Sequence, residues 1–268
     1  MAFAFRVLES SSAGNCALLE SSECRVLIDA GLSCRRIGAK LEALGLRLED
    51  LDAVFITHEH HDHIQGLRGL SRYPGLRVFA NGDTAQALNG KFSRNPRWQI
   101  FETGSAFGFA DLEIASFRLP HDSYDPVGFV IRCRSGGDLF HRWQSAAWVV
   151  DLGYIPRLVS DRVRDVELLV LEANHDLDLL EADTRRPWST KQRIRGRHGH
   201  LSNDAVCTFL EQAEDVSWRQ VMLGHLSRDC NNLDRLRHRL TGNGACRVPV
   251  SVIDPANHEG PAIQHAMT

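Results

Sequence analysis

At 268 residues with 43% apolar content, the chain can bury one substantial core, as a single domain spanning residues 1–268. A net charge of −3 excludes a chain-wide attraction to nucleic acid, and no run approaches the ~20 apolar residues of a membrane span. The seven cysteines at 16, 24, 34, 133, 207, 230 and 246 form no C-x-x-C pair, and residues 1–6 lack the charged and apolar segments of a secretory signal. Free thiols in a reducing, cytoplasmic setting are expected.

Residues 3–8 alternate as a strand, Ser10 to Asn15 form a turn, and residues 16–19 and 25–28 give two further strands before Asp29, Ala30 and Gly31. Ile37, Leu41 and Leu44 recur at helical spacing, and Gly45 closes that helix. The unbroken apolar run from Ala53 to Ile56 reads as a buried strand. It ends on Thr57, His58, Glu59, His60, His61, Asp62 and His63, after which Ile64, Leu67 and Leu70 begin a helical pattern. His58 and His60, two apart on extended backbone, point the same way, whereas Asp62 and His63 follow the turn and face a second position. Imidazole nitrogen and carboxylate oxygen together suit a divalent cation such as zinc. This loop is the expected metal site.

Beyond it, residues 76–80 read as a strand, 83–88 as a short helix and 101–117 as one or two strands, leading to His121 and Asp122. Residues 127–133 give another strand, and 134–145 are polar and irregular around Gly136 and Gly137. The buried strand 147–150 ends in Asp151, and the strand 167–171 runs into Glu172, Ala173, Asn174, His175 and Asp176. A basic stretch follows, with Arg185, Arg186, Lys191, Arg193, Arg195 and Arg197 opposed by Asp176, Asp178, Glu181 and Asp183. Ser202 is placed to cap a helix over 203–212. A helix start is a ready anion site, so Ser202 and Asn203 are candidate phosphate-binding residues, with His200 a candidate proton donor beside them. The strand 221–223 ends in Gly224 and His225; the strand 247–253 and the tail after Pro255, with His258 and His265, suggest no chemistry. There is no repeat or low-complexity segment, and the order of elements is that of one α/β domain.

The pattern His58-x-His60-x-Asp62-His63 resembles the signature of the metallo-β-lactamase fold hydrolases. The resemblance implies an α/β, four-layer αββα sandwich holding two divalent cations, zinc favoured and manganese possible. It makes His58, His60 and His121 the ligands of one cation, and Asp62, His63 and His225 those of the other. Asp151 would bridge them, and Asp29 would stand behind the metal loop and orient it. Ser12 to Asn15, Glu172 to Asp176 and Gly199 to Asn203 further resemble the YycJ/WalJ-type subfamily, regarded as 5′-exonucleases or phosphodiesterases. The expected chemistry is hydrolysis of a phosphodiester by a metal-activated hydroxide, with Asp62 holding the water proton and His200 protonating the leaving oxygen. Arg193, Arg195 and Arg197 are the expected contacts to a DNA or RNA backbone. A hydrolase of small cyclic phosphodiesters, thioesters or lactones would use the same cations without needing the basic stretch. Residues 134–145 match nothing in the family pattern, and there is no room for the insertion domain of the β-CASP nucleases.

Overall fold

A computed structural model of the chain describes residues 3–134, 143–242, 248–254 and 263–266. In chain order, β1 (Ala4–Ser11), β2 (Gly14–Glu20), β3 (Arg25–Ile28), α1 (Cys34–Glu42), β4 (Ala53–Phe55), α2 (His61–Ile64) and α3 (Leu67–Leu70) come first. They are followed by β5 (Arg77–Asn81), α4 (Gly82–Leu88), β6 (Trp98–Phe101), β7 (Ala106–Phe109), β8 (Leu112–Arg118), β9 (Val127–Arg134) and β10 (Trp143–Val149). The remainder is α5 (Arg157–Val163), β11 (Leu168–Glu172), α6 (Leu177–Ala182), α7 (Trp188–Arg195), α8 (Asn203–Glu211), β12 (Gln220–Gly224), α9 (Leu233–Gly242), β13 (Val250–Val252) and β14 (Ile263–Ala266).

The strands form two seven-stranded sheets, ordered β14-β1-β2-β3-β4-β5-β6 and β13-β12-β11-β10-β9-β8-β7. Side-chain alternation assigns each face. On β10, Ala146 and Trp148 enter the core between the sheets, whereas Ala147 and Val149 enter the outer core of the second sheet. On β4, Phe55 points between the sheets and Val54 outward, toward Ile37 and Leu41 of α1. The second outer core joins Leu171 to Val159, Val206 and Leu236, which belong to α5, α8 and α9. Helix, sheet, sheet and helix are thus the four layers of the expected αββα sandwich. Strands apolar on both faces are what such burial requires. Phe55 meets Phe79 edge-on at 5.2 Å and Phe107 at 5.9 Å, locking the middle of the sandwich.

Several elements differ from the sequence reading. Residues 101–117 contribute parts of three strands, because the chain leaves the first sheet after β6 and enters the second at β7. The turn expected over 10–15 shrinks to Ser12 and Ala13, since Ser10, Ser11 and Asn15 continue the β1–β2 ladder. The helix expected from Ile64 begins inside the histidine motif, at His61, and breaks before Leu67. At the break an added Cβ on Gly66 would stand 2.6 Å from Leu32 O and 2.7 Å from Ile37 Cδ1, so the chain passes too close to α1 and the segment before it for any side chain. The basic stretch is helical over α7, and the tail supplies β14, which pairs with β1. The irregular segment at Gly136 and Gly137, Cys246 and His258 lie outside the described residues. Among the described residues no helix is long and apolar enough to cross a membrane.

Strands β3 and β4 run parallel, as do β10, β11 and β12, so their carboxyl ends share one edge of the sandwich. Gly31, just past β3, is pinned there. Its N–H donates to Asn15 O at 2.8 Å, and an added Cβ would stand 1.7 Å from Asp62 O. Replacing Gly31 with Ala is therefore expected to drive the histidine loop away from β2. The loss is about 3 kcal/mol, within the range for overpacking, read as a lower urea midpoint at unchanged slope. An unchanged midpoint would show that the loop yields freely.

Candidate metal centre

The centre is assembled on that shared edge. Asp29, Asp151 and His225 follow β3, β10 and β12, and all three hold left-handed backbone, with φ of 57°, 64° and 54°. Such conformations cost of order 1–3 kcal/mol in non-glycine residues and persist where surrounding structure enforces them. Here each turns a side chain sharply off its strand end, Asp151 and His225 toward the crevice between the sheets and Asp29 behind the histidine loop. Asp29, fully buried, accepts hydrogen bonds from Thr57 N at 2.9 Å and Trp148 Nε1 at 3.2 Å, and lies 2.7 Å from His63 Nδ1. It therefore does not face the crevice; it fixes the loop and the ring of His63 from behind.

Three sets of donor atoms result, the last two sharing Asp151 and His225. His58, His60 and His121 form one; Asp62, His63, Asp151 and His225 a second; Asp151, Glu172, His200 and His225 a third; within each, the atoms lie within 4.8 Å of one another. Asp151 stands between them, its Oδ2 2.6 Å from His63 Nε2 and 3.6 Å from His58 Nε2, its Oδ1 3.1 Å from His225 Nε2. Burial, reinforced by His63, pushes His58 well below the usual imidazole range, so its ring is neutral with a lone pair to give. Burial works to raise Asp151, but His225, His121 and His63 outweigh it and keep the carboxylate ionised. At His63 burial acts downward, yet Asp29, Asp62 and Asp151 prevail and lift it well above the ordinary value. Converging carboxylates thus draw positive charge into the crevice.

The residues fit divalent cations. Among the described residues His58 Nε2 is buried without a hydrogen-bond partner, an arrangement that costs free energy unless another group satisfies it, and Asp151 Oδ2 beside it is engaged by His63. A neutral His58 ring and an ionised Asp151 carboxylate are protonation states a cation needs, a bound cation would displace the proton that His63 gains from its carboxylate neighbours, and the set is open to oxygen- and nitrogen-preferring metals.

Two residues of the centre had no role assigned from the sequence. Glu172, fully buried at the end of β11, places Oε1 2.8 Å from His200 Nδ1, while Oε2 accepts from Leu152 N at 3.0 Å and Leu201 N at 3.2 Å. Burial would lower His200, but Glu172 and Asp151 raise it well above the usual range. Asn15 lies between the rings, with Nδ2 3.1 Å from His63 Nε2 and Oδ1 3.1 Å from His225 Nδ1. Both stand in the segments that carry the subfamily resemblance. The partners named here lie 20 to 210 positions away, so these contacts have no local signature.

The proposed substrate contacts fare differently. Ser202 Oγ caps the helix by accepting from Ala205 N at 3.2 Å, Asn203 N donates to His175 O at 2.8 Å, and the Asn203 amide exchanges hydrogen bonds with Asn231. These groups are engaged internally, although the Ser202 hydroxyl, as an acceptor from Ala205 N, keeps its own O–H to donate. The basic stretch is also largely compensated. Arg185 and Arg186 pair with Asp183 and Asp229, Lys191 Nζ donates to Glu181 O at 2.6 Å, and Arg193 pairs with Asp122. Asp122 itself lies 3.4 Å from His121, so Arg193 reaches the rim of the centre but arrives already paired. Arg197 stacks its guanidinium 4.5 Å above the Tyr154 ring. It and Arg195 are exposed, which leaves them as the better candidates of the expected three.

Replacing Asp151 with Ala removes the oxygens that face both histidine sets. Elemental analysis of the variant is expected to fall clearly below that of the parent, and His225→Ala should lose metal as well. Asp29→Asn keeps the shape but removes a charge behind His63, with an expected 10- to 100-fold loss in metal affinity. Full loading of the Asp151 variant would exclude a shared carboxylate.

The chain and its fold have counterparts among known proteins. A family profile described as a beta-lactamase superfamily domain matches residues 24–226. Exodeoxyribonuclease WalJ of Streptococcus pneumoniae serotype 2 is 34% identical over 259 residues, covering 93% of this chain and 91% of WalJ. Exodeoxyribonuclease YycJ of Bacillus anthracis is 32% identical over 238 residues, covering 88% and 86%. The metallo-β-lactamase fold protein YhfI from Bacillus subtilis superposes with a TM-score of 0.70 at 16% identity, over 99% of this chain and 100% of that one. The chain therefore belongs to the β-lactamase superfamily and, within it, to the family that includes WalJ and YycJ.

Proposed function

We propose that this protein is a metal-dependent phosphodiesterase that removes nucleotides from the ends of DNA. Two divalent cations would be held by His58, His60 and His121 on one side and by Asp62, His63 and His225 on the other, with Asp151 shared. Zinc is favoured by the donor set, and manganese is accommodated by it. One conjunction carries the reading: this donor set lies at the crevice of a chain 34% identical, across 93% of its length, to a protein named for exodeoxyribonuclease activity.

Bound divalent cations supply Lewis acidity and ready ionisation of water near neutral pH. The chain's own residues do the rest. Asp62, with its side chain 24% exposed, is the crevice carboxylate most accessible to an attacking water and takes its proton. His200 has Nδ1 committed to Glu172, which leaves Nε2 to deliver a proton to the departing oxygen. Glu172 holds the His200 ring in place and favours its charged, donating form. Left-handed backbone at Asp151 and His225 aims both side chains at the same point, so little reorganisation is needed when the substrate arrives.

His200→Ala is expected to keep its metal and lose 10²–10⁴-fold in kcat on a DNA oligonucleotide, the range for a lost general acid. Glu172→Gln should lose less and shift the alkaline limb of the pH–rate profile downward, because the charge that raises His200 is gone. Metal loss in His200→Ala would make His200 a ligand instead. Separately, Arg195→Glu/Arg197→Glu should weaken oligonucleotide binding, with the salt-dependence slope flatter by about one per lost phosphate contact. The same pair should affect hydrolysis of bis(p-nitrophenyl) phosphate much less. Equal losses on both substrates would favour a small-molecule substrate.

A further inference from the structure

Beside the metal centre lies a groove of about 330 Å³ that the chemistry above does not use, lined by Pro120, His121, Tyr124, Tyr154, Leu158 and His198 among others. His121 belongs both to this groove and to the first histidine set, so the groove adjoins that set of donor atoms. Its walls are unusually apolar for so exposed a place: Tyr124 is 73% exposed and Leu158 47%.

The walls come from three separate segments that are tied to one another. Gly153 N donates to Pro120 O at 3.0 Å, His121 Nδ1 lies 3.0 Å from Gly199 O, and Arg197 stacks on Tyr154. An added Cβ on Gly153 would stand 2.4 Å from Gly196 O, so glycine is required where the second and third segments meet. Tyr124 N donates to Glu59 Oε1 at 3.1 Å, which couples the first segment to the histidine loop. The groove is therefore preformed and held in register with the donor atoms of the centre.

We propose that this groove takes the base of the terminal nucleotide, stacked against Tyr124 and Tyr154, while the phosphate of that nucleotide occupies the metal centre. The assignment rests on the nuclease reading and adds how the strand end is held. A nucleobase is flat, apolar on its faces and joined through one sugar to its phosphate, which matches an aromatic-walled groove one residue removed from the reacting position. Charge agrees: Arg197 at the Tyr154 wall is exposed and cationic, suited to the polyanion that continues beyond the base. Stacking on aromatic side chains tolerates every base, so such a groove grips a strand end without selecting its sequence.

Two measurements test this. On the metal-loaded protein, cleavage of a single-stranded DNA oligonucleotide is compared with the same strand carrying an abasic terminal nucleotide. The intact strand should be preferred about tenfold or more in kcat/KM, mainly through KM, as expected for one stacked base. Tyr124→Ala/Tyr154→Ala should shrink that preference toward unity, and Tyr124→Trp with Tyr154 intact should restore or exceed it. In parallel, calorimetry compares dAMP with 2-deoxyribose 5-phosphate on the same protein. Tighter binding of dAMP, lost in the double variant, supports the groove even if no oligonucleotide is cleaved, in which case only the nuclease reading falls. Cleavage of both strands at equal rates, or equal binding of dAMP and the base-free sugar phosphate, overturns the groove assignment and leaves the nuclease reading standing.

Discussion

The centre depends on one buried carboxylate. Asp29 receives Thr57 N–H from the first sheet and Trp148 Nε1–H from the second, and it orients His63. A buried charge is tolerated only when hydrogen-bonded or paired, and every contact of Asp29 here also positions a part of the site. Without it the histidine loop would keep its backbone ties, such as Ala30 N to His63 O at 2.7 Å, but the ring of His63 would lose its orienting partner and the two sheets a polar link across the core. The left-handed backbone at Asp29 is the local cost of turning the carboxylate inward.

Around that anchor, the geometry follows from parallel strands ending together. Neighbouring parallel strands bring their carboxyl ends to one edge, and in open α/β sheets that edge is where ligands bind. The chain uses it twice, once in each sheet, and faces the two edges across the same crevice. The closing contact comes from β1, whose Ser10 Oγ accepts from His225 N at 2.8 Å, while Ser11 bridges to Leu226. Serines in a hairpin that looks like a plain turn thus couple the first strand of one sheet to a metal-facing histidine of the other.

Charge in this molecule is organised locally. The cationic run between Arg185 and Arg197 suggests a patch, yet much of it is cancelled within the fold by Asp183, Asp229 and Asp122. Exposed ion pairs of this kind add little stability individually, but they remove charge from what a polyanion would meet. The surface next to the centre is instead an aromatic groove with cations at its border. That combination suits a strand end, where one unstacked base is available, better than the flank of a duplex.

The sequence by itself determined the fold class and marked the loop after β4 as a candidate metal site, because each rests on short-range pattern. Continuous apolar runs gave β4 and β11, and the clustered imidazoles and carboxylate after β4 announced a cation. Asp29, Asp151 and His225 were legible only as polar residues at strand ends, and the resemblance supplied what they face. Tertiary structure decided the rest. That Glu172 holds His200, that Asn15 sits between His63 and His225, and that Asn203 pairs with Asn231 all involve partners far apart in the chain. The crossing from β6 to β7 and the pairing of β14 with β1 likewise depend on which sheet a strand joins, and hydrophobic alternation is the same in either. Side-chain chemistry is written residue by residue, whereas hydrogen-bond and ion-pair partners are chosen by the packing of the two sheets.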